Sequence, residues 1–413
     1  MKSLLFTLYL FALAIPSEST ALPSISTRGE ASTSNSYGAV YLMTNEPDGN
    51  YVIASQIGAD GKLTSQQAIP TLGRGAHGMI YPITPDALFT QGAIEISSMG
   101  VLAAVNAGSD TISAFSVSES DPISLQRLGS PVWSKGEFPA SIAFNRKGDV
   151  LCVLNTGFVN GVSCFKVDKT EGLTYIPNTT RHLNLNITTP PTLLGSASQV
   201  IFSEDNKLLI AAIKGTVTNA GFLAIWDVYP NYSLSHGFRR VALSSGAFLP
   251  FSLTVIPGQN ALLAADPAMG YDIFSGISAS KKSVGISAYQ IPGQNATCWS
   301  TYSSKTGNYY LTDPVESRIM EVSIGQHLKS TIVHYYSIGA NTVFLDIAAT
   351  SVNDRGFLYV LSAATKVAVE VFSLDGPGKA KHIQSQDITT HAKAAGIKID
   401  PNNVIGMATF PRF

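Results

Sequence analysis

Seven times along this chain an apolar β run leads through a polar turn into a second such run, beginning near Gly38, Gly100, Asp149, Lys207, Ala261, Asn308 and Phe357. What constrains the fold is how this series starts and stops. The second to seventh units are each preceded by another short β run: AIEISS, SIAFN, QVIFS, SLTVI, CWSTY and LDIAA. The first unit has none, and a run of the same pattern, VIGMATF, stands at the far end of the chain, at residues 404–410. A tail that supplies the innermost strand of the unit begun by the N-terminus closes a ring and leaves no unpaired edge. The expectation is an all-β fold, a seven-bladed β-propeller over residues 37–413, its ring closed by the C-terminal strand completing the first blade. Repeats of roughly 45–60 residues suit four-stranded blades. A sandwich would not need seven similar units, and a solenoid would carry capping ends rather than a split unit. Helical periodicity is nearly absent, with one turn expected at HAKAAG from His391.

The segment before the first unit reads as two pieces. Lys2, an apolar run over residues 4–15 and the small residues Ser19, Thr20 and Ala21 form a secretory signal peptide over residues 1–21. Residues 22–36, rich in Ser, Thr and Pro, read as a flexible arm. No later run is long and apolar enough for a transmembrane helix. Acceptor patterns for N-glycosylation occur at Asn178, Asn186, Asn231 and Asn295, in keeping with the secretory route. With 13% charged residues and a net charge of -1, nothing marks a nucleic-acid or acidic-membrane partner. The expected location is therefore extracellular or on the cell wall, as a monomeric glycoprotein.

Propeller geometry decides which residues can share a site. Loops entering each innermost strand and loops joining the second strand to the third open on one face, around the central channel. Asn45, Asn106, Asn155, Asp266 and Asp313 recur at the end of the second strand in five units and would form a polar ring able to hold water, a sugar or a cation. Turn formation is the commoner role of such residues. Lys214 and Arg318 would extend positive charge around the channel if they point inward, although long basic side chains usually reach water.

His77 lies in GRGAHG with Arg74, and that loop is the best catalytic or anion-binding candidate. Glycine lets a backbone approach a ligand, imidazole can move a proton near neutral pH, and guanidinium can clamp a carboxylate. Glu137 occupies the equivalent loop of the next unit, as a base or as a partner for Lys135. The remaining histidines show no metal-ligand spacing, so neither metal nor cofactor is expected. No G-x-S-x-G elbow or protease-like cysteine signature is present. Counting outward from the turn of the third unit sets Leu154 opposite Val162, Val153 opposite Ser163 and Cys152 opposite Cys164, which suggests a cross-strand disulfide; the alternative is two reduced, packed thiols. Cys298, beside Trp299, is read as a small buried hydrophobe.

Segments such as YLMTNEPDGNYVIASQIGADGKL, GRGAHG, VNAGSDTISAFSV, GEFPASIAFNRKGDVLCVLNTGFVNGVSCFKVD, ASQVIFSEDNKLLIAAIKG and GNYYLTDPVESRIMEV resemble the secreted fungal proteins labelled 3-carboxymuconate cyclases. These are a branch of the seven-bladed lactonase family, which also holds bacterial 6-phosphogluconolactonases. The resemblance covers everything after the signal. It implies a small organic acid, a lactone or a sugar bound on the channel face, with His and Arg handling carboxylate and proton. It further implies cyclase, isomerase or lactone-hydrolysing chemistry, or else a cell-surface role in adhesion. Cyclising members carry a His-containing loop into the third inner strand; here that stretch is Phe138, Pro139, Ala140 and Ser141, leaving His77 and Arg74 as the nearby substitutes.

Overall fold

A computed structural model describes residues 36–279, 283–364 and 366–411. The expected signal peptide, and all but the last residue of the expected arm, lie outside the described residues. Seven antiparallel sheets are present among them, each built from strands consecutive in sequence except at the point of closure.

The exception is the first blade, whose order from the outside inward is Leu63–Pro70, Tyr51–Ile57, Gly38–Met43, Ile405–Pro411. The closing strand pairs Ala39 with Phe410, Val40 with Thr409 and Tyr41 with Ala408, and a bulge follows between Tyr41 and Met43. Around this seam Glu46 accepts the backbone N–H of Asp400 at 2.6 Å and the Asn403 amide at 3.2 Å. The two chain ends are thereby tied by side chains as well as by the ladder.

The innermost strands of the other blades are Ile94–Ile96, Pro139–Phe144, Ala197–Phe202, Leu253–Ile256, Ser300–Ser303 and Phe344–Val352. Next to each lies a second strand, and those of the first six blades are buried at every position. They read as unbroken apolar runs because neighbouring blades cover both faces, so alternation has no solvent side to report. Outer strands such as Gly285–Gln290 are largely exposed. Tyrosine hydroxyls bridge adjacent blades: Tyr41 donates to the Pro122 carbonyl at 2.6 Å and Tyr359 to that of Gly61 at 2.8 Å.

In the third blade Cys152 and Cys164 face each other in register and are joined by a disulfide, while Cys298 is free and buried. The single α-helix among the described residues, Thr389–Ala394, precedes the closing strand. No helix among them is long and apolar enough to cross a membrane.

Candidate functional site at the channel mouth

The recurrent Asn and Asp residues at the ends of the second strands are loop latches. Asp266 accepts the backbone N–H groups of Phe248 at 2.7 Å, Leu249 at 2.9 Å and Ala268 at 2.9 Å. Asp313 likewise accepts those of Asn295 at 2.9 Å, Ala296 at 3.2 Å and Glu316 at 3.1 Å. Asn106 receives Asn50 at 3.0 Å and Thr71 at 2.7 Å while donating to Thr111 and Ser113. Asn45 donates to the carbonyls of Ala76 at 2.7 Å and Asn403 at 3.2 Å, and Asn155 to that of Ser134 at 3.1 Å. Most of this polar capacity goes to loop backbone and, at Asn106, to neighbouring side chains, while Asn155 Oδ1 is buried without a partner. No three His, Cys, Asp or Glu side chains are placed to hold a metal ion among the described residues.

The GRGAHG loop is explained in the same way. A side chain at Gly73 would run into Asn106, one at Gly75 into the backbone of Asn45, and one at Gly78 into the Phe89 ring. The glycines permit close approach to the protein itself. His77 sets Nδ1 2.7 Å from the Gly78 carbonyl and Nε2 3.0 Å from that of Thr84, and meets Phe89 edge-on. Each ring nitrogen faces a backbone carbonyl that accepts from whichever nitrogen carries the proton, so the imidazole braces the loop. Arg74 is exposed. Glu137 receives the Thr189 hydroxyl, and Lys135 instead lies over the Trp133 and Tyr175 rings at 4.5 and 4.9 Å. Arg318 points along its own blade, 3.8 Å from Asp313 and over Tyr335.

Residues 79–91, between the first and second blades, cross the channel mouth as a plug. Gln91 exchanges two hydrogen bonds with the backbone of Ser300, at 3.0 and 3.1 Å. The Trp299 indole donates to the Thr90 carbonyl at 2.9 Å, and the Thr90 hydroxyl reaches the Ser198 carbonyl. Beside this plug opens a cavity of about 460 Å³. Its floor is formed by Phe251, Cys298, Trp299 and Leu345 at the inner strands of three blades, and Phe251 and Trp299 pack edge-to-face at 5.0 Å. Pro85, Leu249, Pro267, Ala296, Val315 and Val343 from the surrounding loops add apolar walls.

Two ionisable groups interrupt this wall. Lys214, which ends the apolar strand run of the fourth blade and is only 2% exposed, donates to the carbonyls of Phe89 at 2.8 Å and Ala197 at 3.2 Å. Burial pushes its ammonium down to about 7, against the opposing pull of Asp86. Asp86 sits in the plug and accepts the Thr90 N–H at 3.4 Å; burial pushes its carboxyl up to about 7, against the pull of Lys214. Each charge offsets part of the burial penalty on the other. The Cys298 thiol, held beside them, is pushed well above its ordinary range by burial first and by the Asp86 charge second.

Deeper in the channel, Asp346 leaves Oδ2 without a partner while Oδ1 accepts the Ile347 N–H at 2.8 Å. Its carboxyl is raised well above the usual range by burial, and Glu95 on the second blade is raised by burial to about 8.

Of the residues that the sequence marks as ligand-binding or catalytic, only Lys214 lines the cavity. Asp86, Phe89 and Leu345 carry no such mark, and Cys298 and Trp299 read in the sequence only as packing. The signal that could have found the site is the apolar character of the entering loops, where proline, leucine and valine stand in place of ordinary polar turn residues.

Fold and cavity together define a seven-bladed β-propeller with a ligand-sized chamber at one mouth of its channel. Residues 33–182 match the family described as Lactonase, 7-bladed beta-propeller. Solved structures agree on the fold. A provisionally named 6-phosphogluconolactonase of Bacteroides fragilis superposes with a TM-score of 0.61 at 14% identity, over 91% of this chain and 98% of that one. The periplasmic gluconolactonase PpgL of Pseudomonas aeruginosa gives 0.62 at 16% identity, over 85% and 96%. A Lactobacillus plantarum protein gives 0.63 at 13% identity, over 90% and 99%. Among curated proteins no sequence matches this chain.

Proposed function

We propose that this protein is a secreted, monomeric glycoprotein whose propeller binds a small organic acid or its lactone in the chamber beside the plug. The observation that carries the reading is Lys214, a buried amine set in an otherwise apolar ligand-sized cavity opposite Asp86. A carbonyl or carboxylate oxygen entering the chamber meets the third N–H of the Lys214 ammonium, the other two being held by the Phe89 and Ala197 carbonyls, and Asp86 is an acid or base placed to serve water or a ring oxygen. The lactonase match in residues 33–182 supports the ligand class and lactone-opening or lactone-closing chemistry. Secretion is supported by the leader-like start of the chain and by the exposure of Asn178, Asn186, Asn231 and Asn295.

Calorimetric titration with a panel of lactones and their open hydroxy acids tests this reading, with Ala296→Trp as a variant that fills the chamber. Binding by the native protein and its loss in the variant are expected. Equal heats from the two proteins would remove the chamber from consideration. Expression of the full chain in a eukaryotic secretory host should deliver it to the medium with a mobility that shifts on N-glycan removal.

A further inference from the structure

We infer that the chamber takes a lactone or hydroxy acid with a hydrocarbon body, alkyl- or aryl-substituted, and discriminates against the polyhydroxylated lactones of sugar acids. This rests on the reading above and narrows it. The polar side chains of the chamber are few: Lys214, Asp86 and the Cys298 thiol, which interact with one another, and Thr84. The rest of the wall is Phe251, Trp299, Leu345, Leu249, Val315 and residues like them. A ligand fitting this distribution carries one polar head and an apolar remainder. A sugar lactone carries hydroxyls around its whole ring, and each one buried against hydrocarbon without a partner costs about tenfold in affinity.

The latches described above remove the alternative source of polar contacts. The carboxylates of Asp266 and Asp313, which stand near the rim, are saturated by backbone N–H groups and have little left to offer a hydroxyl. The approach to the chamber is of the same character as its wall. Tyr81 is 97% exposed, Ile83 62% and Val315 64%, all on the plug or on a loop of the mouth. An apolar solute therefore meets hydrocarbon from first contact to the chamber floor, and a volume of about 460 Å³ lies in the range of small-molecule sites.

Isothermal titration of the native protein with a homologous series of γ-lactones, from γ-hexalactone to γ-dodecalactone, and with glucono-δ-lactone tests the inference. Affinity should rise about fourfold per added methylene until the chamber is filled. The longer γ-lactones should then exceed glucono-δ-lactone by at least about a hundredfold. Val315→Lys, at an exposed rim position where folding is not at stake, should flatten the series. Glucono-δ-lactone binding as tightly as the alkyl lactones, or a series without dependence on chain length, would overturn this inference while leaving the lactone-binding reading standing. Absence of binding by every lactone and acid would overturn both.

Discussion

Lys214 donates a 2.8 Å hydrogen bond to the carbonyl oxygen of Phe89, joining the end of a fourth-blade strand to a segment 125 residues earlier in the chain. Phe89 belongs to the plug, whose Thr90 and Gln91 also bond to Trp299 and Ser300 of the sixth blade. The bond therefore spans the channel mouth, and its donor is the same amine that faces the chamber. Plug position and the charge state of Lys214 are linked through this contact.

That linkage has a sign. The folded-state pKa of Lys214, about 7, lies below its ordinary value of 10.5, so the unfolded chain binds more protons across that window and stability from this group rises with pH between them. Its contribution is on the order of a few kcal/mol over the whole interval. Urea unfolding between pH 8 and 10 should give the native protein a more positive slope than Lys214→Met, the comparison cancelling the opposing titration of Cys298 and the buried tyrosines. Equal slopes in the two proteins would show that the amine is not held in the shifted state.

Glu95 acts in the opposite direction and in an earlier window. Its carboxyl is raised from 4.5 to about 8 by burial, so the folded protein holds a proton there that the unfolded chain has lost. Stability from this group is complete below pH 4.5 and declines as pH rises toward 8. Glu95→Gln keeps the shape and removes the titration, and should raise the urea midpoint at pH 8 while leaving it nearly unchanged at pH 4.5. Equal effects at both values would sink the assignment.

The ring was legible in the sequence because its evidence is a pattern: six units carry an inner-strand run, the first lacks one, and VIGMATF supplies it at residues 404–410. The site was not, because its residues share no spacing. Asp266 and Asp313 look like ligand residues at the level of type, yet their acceptors go to N–H groups of loops up to 18 residues away, a choice that only folded backbone reveals. Lys214 has the composition of a surface lysine, and only the plug crossing above it converts it into a buried donor. Glu95, one residue in AIEISS, carries no local mark of the channel it faces.

Gly75 tests the account of the GRGAHG loop. A Cβ there would overlap the backbone of Asn45, which cannot yield as a flexible side chain would. Gly75→Ala should destabilise by about 2–3 kcal/mol, in the range of overpacked positions. Gly237, where an added Cβ would meet nothing within 4 Å, is the control, and Gly237→Ala should stay within about 0.5 kcal/mol of native. Chemical denaturation of the two variants reads the difference; similar values would mean that the loop adapts and that its glycines serve another purpose.

Thiol chemistry separates the three cysteines. Cys152 and Cys164 are bonded to each other across the third blade with a sequence separation of 12, while Cys298 is free, 7% exposed and raised by burial well above its ordinary range. The non-reduced protein should therefore present one titratable thiol when denatured and none that reacts promptly when native, because the thiolate is the reactive form. Alkylation of native Cys298 at pH 8 should be far slower than in the denatured chain, because burial raises its thiol well above the ordinary range and hides it from the reagent. Replacing both bonded cysteines by alanine should lower stability by about 2–3 kcal/mol, the effect of opening a short cross-linked loop. Peptide mapping that finds three alkylated cysteines in the unreduced, denatured protein would exclude the cross-link, and prompt labelling of Cys298 in the native state would show that the chamber floor is open to water.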